Sequence, residues 1–232
     1  MSEPISLFTA TDSAYLFHVR ALLASFRHFH PEGKCLVYPV GLSDIHRREL
    51  VNYGATLVAP DNEPAHCSSV IAACWRFCAL LRHVSACDDG VVIVTDADAI
   101  VRSRLDSISA ALTGADVALR LRRGRDPNRR IYAGLLGVRS TSGARLFLES
   151  YERLLKQDDP TWYADQRNLF KAYLELKGTD RAAFASLSDF AMERARRLDD
   201  DAPIWFPNGA MRRSRKFKSA SAYWQNRFVT SD

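Results

Sequence analysis

Short apolar runs alternate with stretches of helical periodicity along the first hundred residues, and this alternation restricts the fold more than any other feature of the chain. Residues 5–8, 35–40, 55–59 and 91–94 read as strands. Between them, Tyr15, Val19, Leu22, Phe26 and Phe29 fall on one helical face, residues 43–53 form a helix stopped by Gly54, and Ile71, Trp75, Cys78 and Leu81 share a face within 68–84. A βαβαβαβ order implies a mostly parallel central sheet flanked by helices and joined by right-handed crossovers. The run Val91-Val92-Ile93-Val94 is unbroken, as expected of a strand covered on both faces. Ligands in such sheets sit beyond the carboxyl ends of the strands, so Thr9, Ala10, Thr11 and Asp12 should share a rim with Thr95, Asp96, Ala97 and Asp98.

The second half is less regular. It reads as strands at 116–121 and 131–138, helices at 142–156 and 164–176, and an Arg-rich amphipathic helix within 178–201. With 232 residues, 47% apolar and 25% charged, the chain can bury a core without staples, and it reads as one domain over 1–232 with a basic C-terminal segment at 208–232. The five cysteines, Cys35, Cys67, Cys74, Cys78 and Cys87, are odd in number and lack zinc-like spacing, which points to a reducing, cytoplasmic compartment. Neither a secretory leader nor an apolar window of about 18 residues is present, so no membrane crossing is expected.

The net charge of +5 conceals an asymmetry: residues 1–118 hold 9 Lys/Arg against 13 Asp/Glu, and residues 119–232 hold 23 against 14. Much of the excess lies in 120–130 and 212–218. Such stretches form either a solvated basic face or a surface for polyanions, among them nucleotides, nucleic acid and anionic lipid head groups.

Chemistry concentrates at Asp96 and Asp98. Two carboxylates emerging together from the most buried strand repel each other, and a divalent cation relieves that repulsion: Mg²⁺ or Mn²⁺ takes one or two carboxylates and completes its shell with water and phosphate oxygens. The bland alternative is a pair of strand-end aspartates capping turns.

In this context the sequence resembles the nucleotide-sugar glycosyltransferases of the GT-A fold, a Rossmann-like α/β nucleotide-diphospho-sugar transferase fold, and most closely the family 8-like retaining enzymes of the galactosyltransferase and glycogenin type. Four segments carry the resemblance in order: Phe8 to Asp12 at the first strand end, Val92 to Val101 as the Asp-x-Asp element, Tyr132-Ala133-Gly134 where such enzymes usually read Asn-Ala-Gly, and Asp165-Gln166 in a later helix. The resemblance implies that Thr9, Ala10, Thr11 and Asp12 contact the base and ribose, with Asp12 also able to cap the next helix. It implies that Arg76 reaches the nucleotide or donor sugar, unless it is a surface residue packed on Trp75. Asp96 and Asp98 would bind the Mn²⁺ or Mg²⁺ that bridges the diphosphate, with Ala97 between them at the nucleotide sugar, Ala133 and Gly134 would let backbone approach the sugar, and Asp165 and Gln166 would face the anomeric carbon and acceptor hydroxyl.

Two segments depart from that pattern. Tyr132 replaces the usual Asn, so contacts to the donor hydroxyls differ. The usual final His-x-x-Gly-x-x-Lys element appears only as Phe206 to Arg212. Phe206 cannot ligate a metal, Asn208 offers a carbonyl oxygen, and Arg212 can take over the phosphate contact with bidentate geometry.

The expected activity is metal-dependent sugar transfer from a nucleoside-diphosphate donor to a glycan, glycolipid or protein acceptor, with retention at the anomeric carbon. The basic tail adds the expectation of peripheral contact with the anionic inner face of a membrane. A sugar nucleotidyltransferase is the alternative, weakened because 9–13 contains no glycine for a phosphate loop. A non-catalytic nucleic-acid-binding module is weaker still, since the Arg-rich stretches carry little aromatic interleaving.

Overall fold

The computed structural model describes residues 4–62, 68–87, 90–122, 126, 129–159, 161–187, 197–207 and 210–229. Cys67, Arg123, Arg125 and Asn208, together with residues 188–196 of the expected Arg-rich helix, lie outside these.

Along the chain run β1 (Ile5–Thr11), α1 (Leu16–Phe29), β2 (Cys35–Pro39), α2 (Asp44–Asn52), β3 (Ala55–Leu57), α3 (Ser69–Ala86), β4 (Val91–Thr95), β5 (Ile100–Val101), α4 (Asp106–Ala111), β6 (Val117–Leu121), β7 (Ile131–Arg139), α5 (Ser142–Lys156), α6 (Ala164–Leu176), β8 (Phe184–Ser186), β9 (Ile204–Trp205) and α7 (Arg215–Val229). Seven strands of the described residues form one sheet in the order β3-β2-β1-β4-β7-β6-β8, while β5 and β9 pair separately. The arrangement is the expected α/β one, with a mostly parallel sheet. β7 runs antiparallel between β4 and β6.

Strand β4 sits at the centre and is buried along its whole length. Because strand side chains alternate, Val91 and Ile93 enter the core beneath α1 and α7, and Val92 and Val94 enter the core beneath α3, α5 and α6. That double burial explains the unbroken apolar run. Ser43, Ser68 and Thr141 cap α2, α3 and α5 by accepting the backbone N–H of His46, Ile71 and Ala144. Gly54, at φ +89°, ends α2 as the sequence indicated.

Two regions depart from the sequence reading. Residues 184–186 are an edge strand parallel to β6, not part of a helix over 178–201. The three-residue run is too short for periodicity to register. The basic C-terminal segment, for which no element was read from the sequence, carries helix α7. In α7, Phe217, Ser221, Trp224 and Phe228 are buried at helical spacing, and Gln225 Nε2 donates to Phe17 O at 2.9 Å. Each large apolar side chain so buried contributes about 1.5–3 kcal/mol, which docks the helix on α1. Arg213, Arg215, Lys216 and Lys218 remain exposed. No helix among the described residues is long and apolar enough to cross a membrane.

Candidate active site

A cavity of about 390 Å³ opens at the carboxyl end of β1 and β4. Ten of the sequence-predicted residues line it: Ala10, Thr11, Asp12, Arg76, Asp96, Ala97, Asp98, Asp165, Gln166 and Arg212. Topology explains the convergence. β1 and β4 are parallel neighbours and deliver Asp12 and Asp96 to one rim, whereas antiparallel β7 brings its first residues back to that rim, with Asp96 N donating to Gly134 O at 3.3 Å. The start of α6 supplies Asp165 and Gln166. Arg212 arrives from the segment before α7, 114 residues after Asp98 in the chain.

Arg76 is the organising cation. It is 5% exposed and makes three contacts: Nη1 donates to Asp96 Oδ1 at 2.7 Å, and Nη2 donates to Ala133 O at 2.8 Å and to Asp165 Oδ2 at 3.3 Å. This settles its position on the buried face of α3 and excludes a surface residue lying on Trp75. Asp165 Oδ1 accepts the Gln166 N–H at 2.7 Å, so both carboxylate oxygens are engaged. Burial pushes Asp165 above the usual carboxylate range, with Arg76 opposing that shift.

Asp98 is the more perturbed acid. Burial, reinforced by the negative charge of Asp96, pushes it up to about 7, and Arg212 works in the opposite direction. Arg212 Nε lies 3.0 Å from Asp98 Oδ2, and Arg212 Nη1 donates to the Tyr15 hydroxyl at 2.9 Å. Asp12 serves two purposes, accepting the Tyr15 N–H at 3.0 Å and the Ser69 hydroxyl at 2.6 Å while facing the cavity. The helix-capping function expected of it is therefore met one turn early, at the bend before α1.

Three of the predicted residues make contacts within the protein that the sequence does not reveal. Thr9 is fully buried and donates its hydroxyl to Thr95 O at 2.9 Å, which fastens β1 to β4 and keeps the side chain out of the cavity. Ala133 is buried behind Arg76 and offers its carbonyl to that residue instead of lining the site. Gly134 makes room for Asp96, since a Cβ there would overlap Asp96 Oδ2 and lie 2.7 Å from Tyr132 Oη. Gly134→Ala is therefore expected to lose about 1–3 kcal/mol of stability in urea unfolding through overpacking, and to weaken ligand binding by displacing Asp96. Unchanged stability and unchanged binding would refute this account of the glycine.

Sequence reasoning missed six lining residues: Tyr15, Ser69, Ala72, Ala73, Trp162 and Tyr163. One signal was available, because Ser69, Ala72, Ala73 and Arg76 follow i, i+3, i+4, i+7 spacing and place small residues on one helical face beneath a cation. Among the described residues no group of three or more His, Cys, Asp and Glu side chains could hold a metal. Asp96 and Asp98 are an incomplete shell, and Asn208 lies outside the described residues.

A central β4 that discharges two acids into a cleft shared with β1, with antiparallel β7 returning behind them, defines the GT-A class of glycosyltransferase folds. The structure is similar to the galactosyltransferase LgtC solved with donor and acceptor sugar analogues, at TM-score 0.64 and 16% identity over 97% of this chain and 95% of that one. It is also similar to the Streptococcus pneumoniae glycosyltransferase GlyE, at TM-score 0.60 and 14% identity over 99% of this chain and 64% of that one. A glycosyltransferase involved in glycosylation of the major capsid of PBCV-1 matches at TM-score 0.57 and 10% identity, over 96% and 98% of the two chains. No protein-family model matches the sequence, and no curated protein matches it.

Proposed function

We propose that the chain is a glycosyltransferase that moves a sugar from a nucleoside-diphosphate donor to an acceptor hydroxyl with retention, using Mn²⁺ or Mg²⁺. The observation that carries this reading is the meeting of Asp96, Asp98, Arg76, Arg212 and Asp165 around one cavity on the glycosyltransferase fold. The donor set suits a hard divalent cation: two carboxylate oxygens, one of them on a buried acid whose ionisation its neighbour opposes. Asp96 and Asp98 would hold the cation, with diphosphate and water completing its shell. Bound there, it would neutralise charge developing on the leaving diphosphate.

The chain's own residues divide the remaining work. Arg212 is placed to exchange its contact with Asp98 for one with the diphosphate, as a planar guanidinium does well. Ala10, Thr11 and Asp12 offer the nucleoside a small-residue wall and a carboxylate. Asp165 is poorly suited to general-base chemistry because Arg76 and the Gln166 N–H engage its two oxygens, and this favours retention over an inverting mechanism. Gln166 is the polar group beside it that can meet the acceptor hydroxyl.

The test is a screen of nucleoside diphosphates and their sugars with Mn²⁺ and with chelator, read as thermal stabilisation. A cognate donor at 100 times its Kd should add about 2.7 kcal/mol with metal, and proton NMR of the first product should show the anomer of the donor. Absence of stabilisation by any nucleotide sugar would refute the proposal, and an inverted product would remove retention from it.

A further inference from the structure

The cavity also carries two aromatic side chains that the proposed donor contacts leave unused. Trp162 is 64% exposed and Tyr163 is 38% exposed, and both line the cavity just before Asp165. Single exposed apolar side chains need no explanation, but two adjacent aromatics at the mouth of a polar cavity form a platform. Tyr163 holds a left-handed backbone conformation, φ +70°, which is an outlier for a bulky residue and turns the chain sharply into α6.

Cations surround that platform. Arg129 stacks over the Tyr163 ring at 4.5 Å, Arg122 stacks over Tyr132 at 4.7 Å, and Arg122 Nη1 lies 3.4 Å from Gln166 Oε1. Arg130 Nη1 donates to Arg122 O at 3.3 Å and draws the segment together. Residues 120–130 hold six arginines and one acid, Asp126, which stands 3.6 Å from Arg129. On the proposed reading Arg212 serves the diphosphate near Asp98, so Arg122, Arg129 and Arg130 are in excess of the donor's charge.

We propose that the aromatic edge of the cavity binds an acceptor saccharide bearing an anionic substituent, with Trp162 and Tyr163 against the apolar face of a sugar ring and Arg122 and Arg129, which contact the lining residues Gln166 and Tyr163 from outside the cavity, paired with a carboxylate or phosphate on it. The inference rests on the glycosyltransferase reading above and adds the chemical class of the acceptor. Aromatic rings match the C–H faces of pyranoses, and guanidinium forks match carboxylate and phosphate oxygens two at a time. Stacking on Tyr132 and Tyr163 orients the two guanidiniums in advance and so lowers the entropy lost on pairing.

The test uses the full chain and three probes: a hyaluronan tetrasaccharide, its neutral carboxyl-reduced counterpart, and maltotriose 6-phosphate, each titrated by calorimetry with and without Mn²⁺ and the nucleoside diphosphate selected in the screen. At least one anionic probe is expected to bind tenfold or more tighter than the neutral one, with the gap closing in 0.5 M salt. The carboxylate and phosphate arms identify the substituent. Arg129→Ala and Arg122→Gln should each weaken the anionic probe roughly five- to tenfold without moving the neutral one. Trp162→Ala should weaken both. Arg153→Ala removes an equal charge from the surface where Arg153 pairs with Glu175, and it should change nothing. Equal binding of neutral and anionic probes, no binding of any probe, or an Arg153→Ala effect as large as that of Arg129→Ala would overturn the inference. Failure of nucleoside diphosphate binding would instead overturn the glycosyltransferase reading, while the saccharide comparison stays readable in the absence of nucleotide.

Discussion

Asp98→Asn is expected to lose nucleoside diphosphate binding by at least a hundredfold in Mn²⁺ and to abolish transfer, yet to melt higher than the wild type at pH 8. Opposite signs for function and stability follow from one cause. Burial and the neighbouring Asp96 push the Asp98 carboxyl up to about 7 from its ordinary 3.8, so the folded chain holds a proton that the unfolded chain has released. Between these values the native state binds more protons, and stability falls as pH rises through the window. Above about pH 7 the folded protein carries the full cost of the ionised acid, which an isosteric amide removes. Below pH 4 the two proteins should converge in stability. The wild type should also bind Mn²⁺ and nucleotide more tightly as pH rises to about 7 and then level off, releasing a proton on binding below that point. Calorimetry in two buffers of different ionisation enthalpy measures that proton. If Asp98→Asn bound nucleotide with unchanged affinity, or if wild-type affinity did not depend on pH between 5 and 7, Asp98 would have no part in cation binding.

The legible part of this site was the part encoded locally. Strand β4 announces itself because burial on both faces requires an unbroken apolar run, and Asp96 and Asp98 are conspicuous because they follow it directly. Topology then places Asp12 beside them, since β1 and β4 are parallel neighbours. The packing around Ala133 and Gly134 was less legible. The sequence shows that small residues stand there, but the neighbours they meet, Arg76 on the Ala133 carbonyl and Asp96 against Gly134, are fixed only by tertiary packing. The bond from the Thr9 hydroxyl to Thr95 O is likewise a tertiary contact between β1 and β4 that the sequence does not reveal.

Trp162 and Tyr163 gave no periodic signal, because they lie in an irregular turn whose direction depends on one left-handed residue. Helix α7 did carry a signal, in the 4-3-4 spacing of Phe217, Ser221, Trp224 and Phe228, but the charge of the surrounding Arg and Lys residues masked it. The consequence is functional as well as architectural. Arg212 stands at the entrance to a docked helix and not in a free tail, so its guanidinium is held at the cavity by the packing of α7 on α1.

Arg76→Ala is expected to be the most damaging single substitution on the nucleotide side of the fold, costing about 3–5 kcal/mol of stability along with transfer. The residue compensates two acids at once, and one of them, Asp165, is 6% exposed. Truncation leaves that carboxylate without its cation, leaves Ala133 O without its donor, and frees Asp96 to rotate away from Asp98. Pairing with Arg76 draws the Asp165 pKa down against burial, so removing the guanidinium moves it further up. The loss of stability should therefore be greatest at pH 8 and shrink on acidification, as a protonated Asp165 no longer needs a partner. Arg76→Met with Asp165→Asn removes both charges and should recover most of the stability without recovering transfer, because Asp96 still lacks its positioning contact. Urea unfolding at pH 5 and pH 8, with nucleotide binding measured on each variant, separates the two effects. A cost under about 1 kcal/mol for Arg76→Ala, or full transfer by the double variant, would show that the buried ion pairs hold neither the fold nor the carboxylates in place.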